Sequence, residues 1–309
     1  MINSSSINMV IYIISIILFG INSLFIKTIN IDFIYKIFYN SLILSIMSFL
    51  FIKYFNPDFS FIINFQNVKL SLLYFLQTVL VFTTFIILPI SIALPFNLGS
   101  SIIFIDIIEY INDNNKINYN VWISNVFILI SLFIISYSKI NKKYKYIKYG
   151  IICSVLYALF DAYNMKKEKE DKNSKALNNK NNLLNESIKS NEIIYELNFI
   201  STIFLLFICI IIKLFNIKNI PFFYNNNSNY NNIFKFILIQ IFINYIGYIL
   251  MYYSLNNMNI SIWMTLLSLD IIIGLIIGYI FLNESINFNK IIGCILLILS
   301  IIYKSKSIH

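Results

Sequence analysis

ISIWMTLLSLDIIIGLIIGYIFLNE, from Ile260 to Glu284, is an apolar run of helix length that opens on Ile-Ser-Ile and closes on Asn-Glu. A second run, ISIALPFNLGSSIIFIDIIEYIND from Ile90 to Asp113, opens on the same tripeptide and closes on Asn-Asp. Each is followed by a short Asn/Lys loop and a further apolar segment, Trp122 to Tyr137 in one case and Ile291 to Tyr303 in the other. The two halves read as copies of one design, although aligning the first copy on the second needs a one-residue gap.

The surrounding composition sets the environment. Of 309 residues 59% are hydrophobic and 12% charged, and the mean hydropathy is +0.76. Soluble globular chains hold about 45–50% apolar and about 25% charged residues, so an integral membrane protein is expected. A crossing helix needs about 20 mostly apolar residues, and ten of them leave room for short loops and no ordinary soluble domain. The net charge of +9 comes from lysine alone, placed in loops between apolar runs, where it suits anionic lipid headgroups rather than nucleic acid. No nucleic-acid partner is expected.

Cys153, Cys209 and Cys294 lie far apart within apolar runs and read as buried small hydrophobes. The single histidine is His309, which removes imidazole-based metal sites, triads and proton relays; neither metal nor cofactor is expected. Residues Met1 to Asn8 carry no lysine, so the first apolar run is expected to stay as a span rather than act as a cleaved leader.

The pattern predicts spans over Met9–Ile26, Phe33–Phe55, Leu70–Leu88, the repeat segment to Ile111, Val121–Tyr137, Tyr149–Asn164, Ile194–Phe215, two from the double-length stretch Ile233–Leu282 divided at Asn256–Asn259, and Lys290–Tyr303. Pro89 and Pro95 are expected to divide the long run between the third and fourth. Residues 165–191 mix Lys, Glu, Asp and Asn without apolar periodicity and are expected to form one hydrophilic loop. The fold class is then all-α and polytopic: ten transmembrane helices as two five-helix repeats, residues 1–145 and 146–309. An odd number of crossings per copy inverts the second repeat relative to the first. Lysines divide almost evenly between the two sides, so the positive-inside rule leaves orientation open.

Gly150-Ile-Ile-Cys-Ser-Val-Leu-Tyr-Ala-Leu-Phe-Asp161 followed by Lys166-Lys167 is similar to the sixth helix of the drug/metabolite transporter superfamily, EamA-like and nucleotide-sugar-transporter-like members included. Phe281-Leu-Asn-Glu284-Ser-Ile-Asn-Phe-Asn-Lys-Ile-Ile-Gly293 is similar to the junction of its last two helices, and Phe19-Gly20 with Lys27 matches its first. The chain departs from the pattern at Asp270, near a usual proline, and at Ser124, where a glycine opens the fifth helix. The resemblance implies a multi-pass protein whose fourth and ninth helices line a central cavity.

Ionisable groups inside a span cost about 2.5–3.5 kcal/mol on insertion scales and are functional candidates by default. Asp270 lies mid-span with no basic neighbour in sequence; Asp106 lies in the matching span of the first copy, Glu109 one turn on, and Asp161 near the end of the sixth span. With Asp270 and Asp106 both in the cavity, the site would be acidic and would attract a cation, or hold a proton coupled to solute movement. Packing alone is the bland alternative for each. Asn22 and Asn244 are candidate hydrogen-bonding residues, and Tyr248 and Tyr252 candidate stacking ones. Glu284 reads as a helix-end anchor. Gly274 and Gly278 form a small-xxx-small pair for close helix packing, with homodimerisation as its other use, and Gly293 is the helix-opening glycine of the resemblance.

The reading is therefore a secondary transporter of a small organic metabolite or drug-like solute, cationic or proton-coupled, in an organelle or plasma membrane, and not an enzyme. A nucleotide-sugar or phosphorylated-metabolite antiporter is the alternative. It lacks intramembrane lysines between Lys235 and Lys290, leaving Lys27, Lys36 and Lys213 near span ends to reach inward. A membrane enzyme has no nucleophile or histidine motif to support it; an ion channel or a noncatalytic membrane scaffold is a further alternative.

Overall fold

A computed structural model describes residues 4–61, 65–113, 119–137, 147–175, 183–214, 230–257 and 260–307. They are helical throughout apart from short connections: α1 (Ser4–Thr28), α2 (Phe33–Phe55), α3 (Phe65–Ile87), α4 (Ile90–Asp113), α5 (Tyr119–Ser136), α6 (Ile147–Lys175), α7 (Leu183–Leu214), α8 (Tyr230–Ile239), α9 (Ile246–Asn257), α10 (Ile260–Leu282) and α11 (Phe288–Ser307). A π-helical stretch, Gln240–Tyr245, joins α8 to α9 without a break. Among the described residues, eight helical stretches are long and apolar enough to cross a membrane, and α10 adds the apolar segment Leu266–Leu282. Helix is the natural outcome in lipid, where each backbone group must find its partner within its own segment.

Polarity runs inside out. Val126, Leu129, Phe133, Phe207 and Ile211 are exposed, whereas Asn22, Asn40, Ser71, Asn125, Gln240 and Asn244 are buried. Such a surface is matched by hydrocarbon rather than water, and the polar groups inside join helices to one another.

Three expectations are corrected. Pro89 alone makes the reversal between α3 and α4; Pro95 lies within α4, where its missing N–H forfeits the bond to the carbonyl of Ser91 without ending the helix. The hydrophilic stretch 165–191 is not one loop, because α6 continues to Lys175 and α7 begins at Leu183. The run Met165-Lys-Lys-Glu-Lys-Glu is composed of strong helix formers that carry the helix on, while residues 176–182 lie outside the described residues. The last helix also extends beyond Tyr303, far enough to bring Lys304 into the interior. Residues 138–146 and 215–229 lie outside the described residues as well.

The principal packings join the two halves of the chain. α2 lies on α7, α5 on α11, and α4 on both α6 and α10; α3 packs on α6 and α7, and α1 on α9 and α10. Glycines allow two of these approaches. A Cβ on Gly274 would lie 2.8 Å from Leu94 Cδ1 of α4, and one on Gly293 would lie 2.5 Å from Ile135 Cγ1 and 3.0 Å from the Ser131 carbonyl of α5.

Candidate functional site

Between the halves lies a cavity of about 250 Å³, walled by α1, α2, α3, α4, α6, the π-helical stretch, α9 and α10. Among the described residues its charged lining groups are Asp161 and Asp270, with no lysine beside them. Apolar and aromatic side chains such as Phe19, Phe82 and Phe85 make up much of the wall.

The two acids are held differently. Gln77 of α3 donates to Asp161 Oδ1 at 2.7 Å, tethering that carboxylate to the wall. Asp270 Oδ1 is buried and has no hydrogen-bond partner among the described residues. An ionised carboxylate with a bare buried oxygen is costly in a low-dielectric interior, and a proton or a cationic ligand would relieve that cost.

Four amides of α1, α2 and the π-helical stretch form a chain, three of them in the cavity lining. Gln240 donates to Asn22 Oδ1 at 3.0 Å, Asn22 to Asn244 Oδ1 at 3.0 Å, and Asn244 to Asn40 Oδ1 at 2.6 Å. This chain ties α1 and α2 to the π-helical stretch. Tyr245, in the same stretch, donates to Asn191 Oδ1 of α7 at 2.6 Å. The π turn therefore places its polar groups toward the bundle interior, and π-bulges in membrane and soluble helices are frequent at working sites. Tyr74 and Tyr248 meet hydroxyl to hydroxyl at 3.2 Å across the cavity wall, with Phe19 edge-on to Tyr248 at a centroid separation of 5.0 Å.

Of the residues singled out in sequence, Asn22, Asp161, Asn244, Tyr248 and Asp270 share the cavity. Asp106 does not line it, which corrects the expectation of a second cavity acid from α4. Its Oδ2 accepts from Lys304 Nζ and from Asn125 Nδ2, each at 2.6 Å, and Lys304 also donates to the Ile102 carbonyl at 3.2 Å. The physical reason is that the partner lies on α11, 198 residues away, and a buried carboxylate turns to a buried ammonium. Glu109 lies outside the cavity too, near enough to Lys304 to act on its charge. Tyr252 belongs to α9, and its side chain is outside the described part of that helix.

Glu284 anchors a helix end, but the end belongs to the other half. It follows Asn283, whose φ of 50° turns the chain out of α10, and its carboxylate accepts from the backbone N–H groups of Ile90 at 2.7 Å and Ser91 at 3.0 Å and from Ser91 Oγ at 2.5 Å. Thus Glu284 caps α4 with a carboxylate at the positive end of its dipole. Gly278 is the glycine this requires: a Cβ there would lie 2.6 Å from Glu284 Oε2. Because Gly274 and Gly278 both face α4, neither glycine is turned outward toward a second copy.

Sequence reading missed Asn40, Gln77 and Asn97, which line the cavity, and Gln240, Lys290 and Lys304. Gln77 and Gln240 carried a usable signal, each a lone glutamine inside an apolar run. The asparagines did not, in a chain where asparagine is abundant throughout.

Fold and cavity together define a multi-pass integral membrane protein with a small, acid-lined internal chamber between its two halves. Residues 186–305 match the EamA-like transporter family, so that part of the chain is similar to an EamA-like transporter domain. No curated protein matches the chain.

Proposed function

We propose that the chain is a secondary active transporter that moves a small organic solute, cationic or coupled to protons, by alternating access, with Asp270 as the group the cargo or the proton satisfies. The observation that carries this reading is the buried carboxylate oxygen of Asp270, without a hydrogen-bond partner among the described residues, in a chamber whose described lining holds no lysine. Asp161, tethered by Gln77, supplies a second negative charge in the chamber; Asn22, Asn244 and Tyr248 supply hydrogen bonds and an aromatic face for the body of the solute.

Two inverted repeats, residues 1–145 and 146–309, give such a protein its two states. Counting α6 and α10 with the eight clearly apolar stretches makes ten crossings, five in each half. The packing pattern supports the pairing. Exchanging α1, α2, α3, α4 and α5 for α6, α7, α8–α9, α10 and α11 leaves α2·α7, α4·α10 and α5·α11 unchanged, turns α3·α6 into α9·α1, and turns α4·α6 into α10·α1, all of which are made.

A nucleotide-sugar or phosphorylated-metabolite antiporter is disfavoured on charge and size. Lys27 donates to the Leu88 carbonyl and Lys36 to the Ile26 carbonyl, and the chamber lies just below the range of about 300–1,000 Å³ typical of drug-sized ligands. Uptake of candidate amines into proteoliposomes by the wild-type protein and by Asp270→Asn tests the proposal. Loss of uptake in a variant that stays folded is expected, and undiminished uptake with the same proton dependence would overturn the assignment.

A further inference from the structure

Building on the alternating-access reading, we propose that Glu284 is the latch that holds the chamber shut at the end formed by the α3–α4 and α10–α11 turns, and that its release from α4 opens that end. The latch joins the halves directly. The α10–α11 turn supplies Glu284, the start of α4 supplies the N–H groups of Ile90 and Ser91 and the Ser91 hydroxyl, and the end of α1 supplies Lys27, whose Nζ stands 3.7 Å from Glu284 Oε1. Lys290 at the start of α11 completes it, donating to Ser91 Oγ and to the Ser285 carbonyl, each at 2.9 Å. Ser91 Oγ thus accepts from Lys290 while donating to Glu284, and one hydroxyl links both charges.

The cluster is buried as a closed gate requires: Leu88, Ile90 and Ser91 are 0% exposed, Lys290 2% and Glu284 5%. It lies at the chamber wall, since Leu94, one turn beyond Ile90, and Ile26, next to Lys27, both line the cavity. The chemistry suits a gate better than a permanent brace. Every group in the latch is a charge, a hydroxyl or a backbone polar group that water can satisfy once the turns part, so opening exchanges protein partners for solvent and costs far less than the gross strength of the bonds. An apolar plug would expose its area to water with no such compensation. Charged hydrogen bonds in a dry site are also directional, so the closed arrangement is discrete.

The test uses the full chain in proteoliposomes, with Cys153, Cys209 and Cys294 replaced and a reporter thiol introduced by Leu94→Cys. A membrane-impermeant maleimide is applied from each side in turn. Glu284→Gln, whose amide cannot accept all three bonds, is expected to raise the labelling rate from the latch side at least several-fold. Gly278→Ala, which keeps the charge but intrudes on the carboxylate, is expected to do the same and carries the test if Glu284→Gln does not fold. Folded variants that label from that side at the parental rate, with only their thermal stability lowered, would overturn the latch and leave Glu284 as a static anchor. Labelling needs no solute. Latch variants without effect beside an Asp270→Asn that abolishes uptake would sink the latch alone; faster labelling in a protein that moves no solute would sink the transport reading alone.

Discussion

Removing the ammonium of Lys304 should destabilise the protein far more than removing it together with its partner. The Lys304 side chain is 0% exposed and that of Asp106 7%, with Nζ and Oδ2 separated by 2.6 Å. Lys304→Met takes away one charge and leaves the other in a dry site, where the remaining hydrogen bond from Asn125 compensates only in part. Breaking a buried pair from one side costs about 3–5 kcal/mol, whereas replacing both partners by groups of similar shape is often neutral. Asp106→Asn, which strands the ammonium, should fall in the same range. The double variant Asp106→Asn/Lys304→Met should therefore recover most of the loss, giving a coupling well beyond the few tenths of a kcal/mol seen for independent sites. Unfolding of the four proteins in mixed detergent micelles, followed by circular dichroism, measures the cycle. Additive single effects would refute the pair, and loss of transport in a double variant of normal stability would return Asp106 to the chamber.

The remaining predictions concern the chamber and the packing. A cationic amine that binds the chamber should raise the thermal stability of the purified protein by about 2.7 kcal/mol at a hundred times its Kd, and Asp270→Asn should abolish that shift; a shift that survives the substitution places the ligand elsewhere. Asn22→Leu should strand Gln240 and Asn244, at about 1–3 kcal/mol for each buried group left unpaired, read as a lowered unfolding midpoint, while the Asn22→Leu/Asn244→Leu/Gln240→Leu triple should cost less than the three single losses summed. Gly293→Ala should cost about 1–3 kcal/mol by overpacking α11 on α5, because the nearest obstacles include the Ser131 backbone, and a neutral result in the same unfolding assay would show that the helices can separate without penalty.

Much of the architecture was legible in the chain because lipid imposes a one-dimensional rule. An apolar run of sufficient length becomes a helix whatever its neighbours do, so α2, α5 and the Ile-Ser-Ile helices α4 and α10 could be read within a few residues. Where the rule weakens, at the charged end of α6 and the start of α7, helix formers continued a helix that hydropathy would have ended. Asp270 was legible for the same reason as the spans: one acid in an unbroken apolar run has no local explanation.

Partnership is a different matter, since it depends on where distant segments come to rest. Asp106 and Asp270 look alike in sequence, each an acid in an apolar run that opens on Ile-Ser-Ile. Only the packing of α11 beside α4 brings Lys304 to one and leaves the other facing the chamber. Glu284 likewise reads as the anchor of its own turn, yet its bonds are to Ile90 and Ser91 nearly two hundred residues earlier. Local composition determined that these residues would lie in helices within a membrane. The tertiary fold decided which of them are satisfied, because burial removes water as a partner and leaves each polar group dependent on whatever the opposing helix presents.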